Sequence, residues 1–408
     1  TKQVALAYNT SITTYDSSGN IIDSVADVST DATTVGELDG VLRFDTHADQ
    51  THYTGHATVS FTTQGQVPLG GHIRVLLPEV FGAHRGWSVV HPNITFVKPS
   101  ADRPSAGSLT EHGGRNFTFV VVSSAIDQRT PVIFMLDNVT TPTRSVGELN
   151  GTTVMVMDSE GNLISVSYRM VTDDISSGSL VNVNGFDAAV DTPSFTQSAE
   201  VSFMVGGHVP EYGHIRVLLP EVLSTQAGWV IGASPQIVFT QPAVKVPTVN
   251  TSTSVVADEG RSVTFAILEH DIPQGSLVEF TITNVTTPTR SSIGGYNTTV
   301  TTLSRHMNVI DGPSMVDTAA VTTGTLRGAK TFNTAVDTPA YTGTAEVSFT
   351  TAGSIPVGGR LKVALPALSG LQAGWQVGTS ATVNFSQPAE NAPTVTSAVV
   401  LESDGRIV

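Results

Sequence analysis

The sequence predicts an all-β protein built from tandem antiparallel β-sandwich domains of about 145 residues each. Three observations predict it. Landmark segments recur at a near-constant spacing, apolar and polar residues alternate along short runs, and Gly or Pro closes most of those runs.

The recurrence comes first because it sets the domain count. The segment GHIRVLLPEV at 71–80 returns unchanged at 213–222, and more weakly as GRLKVALP at 359–366. The three Trp residues, Trp87, Trp229 and Trp375, each follow a Gly and lie 142 and 146 residues apart. NVTTPTRS at 138–145 returns at 284–291. Asp191-Thr-Pro and Asp337-Thr-Pro open the second and third units, with Asp49 at that place in the first. These matches divide the chain into a C-terminal part of a preceding repeat at 1–43, repeats at 44–185 and 186–331, and an incomplete repeat at 332–408. The N-terminal segment aligns with the end of a repeat through Asn9, Asn150 and Asn297, and through Asp16–Asn20 and Asp158–Asn162. Two expectations follow for the ends. They belong to a longer array, or the N-terminal strands of one copy complete the last sandwich of another by strand exchange.

Alternation gives the strands. Val201, Phe203 and Val205 share one face of their run, as do Ile215, Val217 and Leu219, and Val278, Phe280 and Ile282, with polar residues opposite. A period of two with one wet face marks antiparallel strands. No amphipathic helix of useful length is present, and eight or nine short strands per unit suit a two-sheet sandwich.

The order VSF, then GHIRVLLP, then a V-x-F run, IPQG, VEFTITNVTTPT and TTVTT resembles the tandem Ig-like repeats of microbial cell-surface proteins. Residues 186–331 carry it in full and 44–185 nearly so. The resemblance implies Ig-like sandwiches in an extended surface stalk or fibre, often adhesive.

Composition bounds the function. Charged residues are 13% of the 408, and 35 Asp+Glu against 20 Lys+Arg give a net charge of −15. That balance excludes the basic surface needed by nucleic acid or anionic membranes. No run of residues is apolar enough for a membrane span. There is no cysteine, hence no disulfide, thiolate metal site or cysteine nucleophile.

Nine of sixteen Asn residues head an N-x-Ser/Thr triplet: Asn9, Asn93, Asn116, Asn138, Asn150, Asn250, Asn284, Asn297 and Asn384. Chance gives about four. The surplus predicts N-linked glycans on exposed loops of a secreted protein, and glycans would keep a weakly charged surface wet.

Other candidates have plain readings. Seven histidines fall between His47 and His112, but without converging ligands they are read as polar surface groups. The Asp16–Asn20 and Asp158–Asn162 segments lack the alternating oxygen ligands of a calcium loop and are read as hairpin turns with Gly left-handed. One Trp per unit is read as core in preference to a sugar platform. Arg74, Arg216 and Lys362 share one outward position, suited to cross-strand pairing. No nucleophile elbow, P-loop or recurring carboxylate pair appears.

The expectation is therefore a structural extracellular glycoprotein with no catalytic, metal or cofactor residues. It would be a subunit of a filament, sheath or cell-surface appendage whose partners are copies of itself, joined head to tail. The alternative is an adhesin or carbohydrate-binding surface module.

Overall fold

The computed structural model describes residues 9–83, 85–222, 228–249, 254–366, 374–379, 381–388 and 392–395. They form two compact bodies, residues 1–323 and 324–408.

The first body opens with a hairpin, β1 (Asn9–Tyr15) and β2 (Ile21–Ser29), whose strands pair, among the described residues, only with each other. The first sandwich follows: β3 (Gly36–Glu37), β4 (Asp39–Thr46), β5 (Thr54–Thr62), β6 (His72–Leu76), β7 (Ser88–Val89), β8 (Ile94–Lys98), β9 (Ser105–His112), β10 (Asn116–Val122), β11 (Pro131–Thr140), β12 (Leu149–Met157) and β13 (Leu163–Thr172). The second sandwich repeats it: β14 (Val181–Ala188), β15 (Thr196–Met204), β16 (His214–Leu218), β17 (Val230–Ile231), β18 (Ile237–Gln241), β19 (Val255–Ala257), β20 (Ser262–Ala266), β21 (Leu277–Thr286), β22 (Gly295–Leu303) and β23 (Val309–Thr318). The second body shows β24 (Arg327–Thr334) paired with β25 (Ala345–Thr350). Among the described residues the only helical turn is a 3-10 turn at Asp258–Gly260.

Each complete unit is one sheet folded over into two layers. In the first, β8, β11, β5 and β4 face β13, β12, β6, β10 and β9. All ladders are antiparallel except at the seam, where β3 and β4 run parallel to β13. β14 runs parallel to β23 at the same place in the second unit. Parallel pairing there departs from the antiparallel expectation. It arises because the first and last strands of a unit close the two layers, and a closure between distant segments leaves no local pattern.

Alternation places the core. In β10, Phe117, Phe119 and Val121 point inward, and in β11 Val132, Phe134 and Leu136 do so. Phe119 and Phe134, from opposite layers, meet edge to face at 5.2 Å, and Phe265 and Phe280 repeat the contact at 5.2 Å. Burying each such ring stabilises the unit by about 2 kcal/mol. Trp87 packs edge-on against Phe44 at 5.5 Å and Trp229 against Phe186 at 5.3 Å, all four buried. Trp375 and Phe332 keep the geometry at 5.5 Å in the second body. The units are tandem β-sandwiches, as the sequence predicts, antiparallel but for the seam.

Residues 44, 186 and 332, where the repeat pattern becomes readable, fall inside β4, β14 and β24. The opening of β4, Asp39 to Val41, is exposed and shows no apolar alternation, which hides it from a pattern search. Each complete unit has ten strands or more, against the eight or nine expected, because short strands such as β7 and β17 carry no alternation of their own.

Candidate functional site: the joint between the two complete units

The site lies where the loop between β4 and β5 meets the second sandwich. A repeated motif builds that loop. The Thr141 hydroxyl of the VTTPT segment accepts the Tyr53 N–H at 2.9 Å and donates to the Gln50 carbonyl. The Pro142 carbonyl takes the His52 N–H at 2.9 Å. In the second unit Thr287 accepts the Phe195 N–H at 3.0 Å and donates to Thr192, and Pro288 receives the Ser194 N–H at 2.9 Å. The clamped loops carry one residue each in the left-handed region, His52 (φ 53) and Ser194 (φ 56). NVTTPT is therefore a loop clamp.

The loop it presents is buried in the neighbouring unit. Thr51 is fully buried, and its hydroxyl donates to the Ile310 carbonyl at 2.7 Å. His52 is 2% exposed. Its ring Nδ1 donates to the His208 carbonyl, and its own carbonyl accepts the His208 N–H at 2.9 Å. Gln274 Oε1 accepts the Thr54 N–H at 2.8 Å, and Asn308 Nδ2 donates to the Gly82 carbonyl at 3.0 Å. These bonds tie the first unit's loop to three segments of the second.

Beneath the loop is a carboxylate socket. Asp311, fully buried in β23, accepts the Gly207 N–H at 2.9 and 3.1 Å and the Thr302 hydroxyl at 3.0 Å. Burial outweighs these donors and pushes its carboxyl up to about 6. Glycine is required around it. A Cβ at Gly178 would lie 2.4 Å from Asp311 Oδ1, and one at Gly207 would lie 2.6 Å from the Thr51 carbonyl and 2.7 Å from Ile310 Cγ2. Beside the socket His208 Nε2 sits 3.1 Å from Asp271. Burial pushes that imidazole below the usual histidine range, against the pull of Asp271 and with a small push from Arg85.

Four side chains of the joint have no counterpart in the other complete unit. Thr51 and His52 align with Pro193 and Ser194, and Asp311 and Thr302 with Ser165 and Val156. Ser165 Oγ is buried with no hydrogen-bond partner. Recurrence alone therefore missed the joint. The signal available was the cluster of histidines, from which His52 enters the joint. His47 stacks on His56 at 4.2 Å, and His72 meets the Asp158 carbonyl at 3.1 Å.

The other candidates fall as follows. Arg74 donates across the strand pair to Asn116 Oδ1 at 2.9 Å, Arg216 pairs at 3.1 Å with Asp258 of the 3-10 turn, and Lys362 is exposed. Trp87 and Trp229 are buried and present no face to a sugar. Asp16 and Asp158 each close a hairpin turn. Asp158 accepts the Asn162 N–H at 2.8 Å and its side-chain amide at 2.9 Å, and that amide leads in holding the carboxyl at about 2. Gly19 and Gly161 take φ 83 there, and Met307 takes φ 62 in the third copy of the turn.

Of the sequon residues, Asn93, Asn138, Asn150, Asn284, Asn297 and Asn384 are exposed, and Asn116 is half-buried with Oδ1 held by Arg74. Asn9 heads β1, and Asn250 lies outside the described residues. Most stand on strands, where loops were expected. Asn138 (φ 57) and Asn284 (φ 62) occupy bulges that turn an otherwise inward position out to solvent.

No protein-family model matches the chain, and no curated protein matches it. Among solved structures it is similar to the type II cohesin dyad from the adaptor ScaA scaffoldin of Acetivibrio cellulolyticus, at 11% identity and TM-score 0.18, covering 70% of this chain and 98% of that one. It is also similar to the Escherichia coli adhesin FdeC, at 13% identity and TM-score 0.20, covering 84% of each chain. Among the described residues no helix is long and apolar enough to cross a membrane.

Proposed function

We propose that this chain is a structural, non-catalytic part of an extracellular fibre, sheath or surface appendage, N-glycosylated and joined head to tail with copies of itself. The joint carries the reading. Thr51 and His52 are buried in the second sandwich and bonded to it through Ile310 and His208, which restrains bending between units. A surface module that only had to display a binding loop would gain nothing from so closed a contact. The two complete repeats meet end to end, and units that contact mainly their neighbours stack into stiff arrays. Open-ended head-to-tail contact then propagates without closure. The exposed sequon residues would carry the glycans that offset the low surface charge.

Electron microscopy of the native material with glycopeptide mass spectrometry tests this. The reading expects filaments and sugar on the exposed sequons. Dispersed globules without glycan would contradict it.

A further inference from the structure

The N-terminal hairpin holds half of a second carboxylate socket. Thr14 and Asp23 are paired across β1 and β2 as Thr302 and Asp311 are across β22 and β23. The Asp23 N–H donates to Thr14 Oγ1 at 3.1 Å and the Thr14 hydroxyl to Asp23 Oδ2 at 3.5 Å, against 3.0 Å for both bonds in the second unit. The first unit has Val156 and Ser165 at these places, so the pair is not a general feature of the repeat.

The other half stands in the second body. Gly324 and Gly353 lie at the positions of Gly178 and Gly207, the two glycines that let the loop and the linker close on Asp311, with Ala352 in place of Gly206. Apolar exposure matches on both sides. Ile12 and Ile22 are 51% and 62% exposed, whereas Val300 and Ile310 at those positions are fully buried. Phe332 and Trp375 are 38% and 37% exposed, whereas Phe186 and Trp229 are each 1% exposed.

We infer that the hairpin of one copy adds to the third repeat of a second copy as β22 and β23 add to the second unit, with Asp23 receiving the Gly353 N–H. This rests on the head-to-tail reading and gives it a contact. The occupant is a second copy because only a segment with this Thr–Asp pair and this apolar face reproduces the arrangement already built in the second unit. The register follows. Phe186 pairs with Thr318, which places Thr30 beside Phe332, and Arg216 pairs with Thr301, which places Thr13 beside Lys362. Main-chain pairing along an open edge supplies affinity, and the buried socket fixes the register.

The chain lacks cysteine, so engineered pairs report without background. Full-length Thr13→Cys and Lys362→Cys proteins, mixed and oxidised, are expected to give a disulfide-linked dimer that neither gives alone, since paired strand positions lie within disulfide reach. The double variant is expected to give a ladder. A double variant that forms only an internal disulfide, or none, overturns the exchange. Filaments seen by microscopy in that case would leave the head-to-tail reading standing. In the mixed assay, Asp23→Ala on the Thr13→Cys chain is expected to weaken dimer formation about tenfold, while Asp31→Ala leaves it unchanged. Equal crosslinking with Asp23→Ala overturns the socket and leaves exchange intact.

Discussion

The hydroxyl of Thr51 donates to the carbonyl of Ile310 across the boundary between two sandwiches, at 2.7 Å and with both residues fully buried. Nothing in the repeat pattern demands this bond, because Thr51 aligns with Pro193 and Pro339. It belongs to the joint and not to the fold, which makes it the first place to perturb one without the other.

Thr51→Val keeps the shape and removes the donor. The Ile310 carbonyl still accepts the Gly178 N–H at 2.7 Å, so the loss is a partial one of about 1 kcal/mol. Denaturant unfolding followed by near-ultraviolet signals is expected to show that loss, with the isolated folding of each sandwich unchanged by far-ultraviolet circular dichroism.

Gly207→Ala acts through volume. The new Cβ meets the Thr51 carbonyl and Ile310 at distances no relaxed contact allows, and the joint must open. A loss of about 2 kcal/mol is expected, with an increased radius of gyration by small-angle scattering. Gly86→Ala, whose Cβ would meet only ordinary contacts beside Trp87, is the matched control and is expected to leave the radius unchanged.

Thr141→Val and Thr287→Val separate clamp from joint. Each strips the clamp from its loop and leaves a buried N–H, of Tyr53 or Phe195, without its acceptor, at about 1–3 kcal/mol. Hydrogen exchange at His208 is expected to accelerate in Thr141→Val, whose loop enters the joint, and not in Thr287→Val.

Asp311 gives the joint a pH dependence of defined sign. Its folded carboxyl titrates near 6, above that of an unfolded Asp, so the folded state holds the proton more tightly. Stability from this group is present at low pH and is lost as pH rises from about 4 through 6. Asp311→Asn retains an acceptor for the Gly207 N–H and cannot ionise. Its stability is expected to exceed the parent's by about 2 kcal/mol at pH 7 and to converge with it near pH 4, measured by urea unfolding across that range. Taking the difference between the two proteins cancels the histidines of the joint. His208 in particular, with its imidazole pushed down by burial, contributes with the opposite sign, favouring the fold as pH rises.

Much of the fold was legible because a sandwich core must repeat. Phe134, Phe119 and Trp87 have counterparts in Phe280, Phe265 and Trp229, and alternation around each names its inward neighbours. Hairpin turns were legible too, since Asp158 and Gly161 mark one by residue type alone. The parallel seam between β4 and β13 was not, because it joins segments far apart in sequence with no local rule linking them. Nor was the joint, for a related reason. Searching for what recurs discards Thr51 and His52, which the equivalent places lack, and Asp311, whose place in the first complete unit is taken by Ser165. Sequons expected on loops stand mostly on strands among the described residues, because a left-handed Asn in a strand bulge, such as Asn138 or Asn284, looks like any other strand residue in sequence.

The central claim is that the two complete sandwiches form one stiff piece. Spin labels at Val97→Cys and Val238→Cys, both exposed strand positions in a chain without native cysteine, read the distance between them directly by double electron–electron resonance. A single narrow distribution that broadens on adding Gly207→Ala is the predicted result. A broad distribution in the parent chain, unchanged by that substitution, would contradict the account.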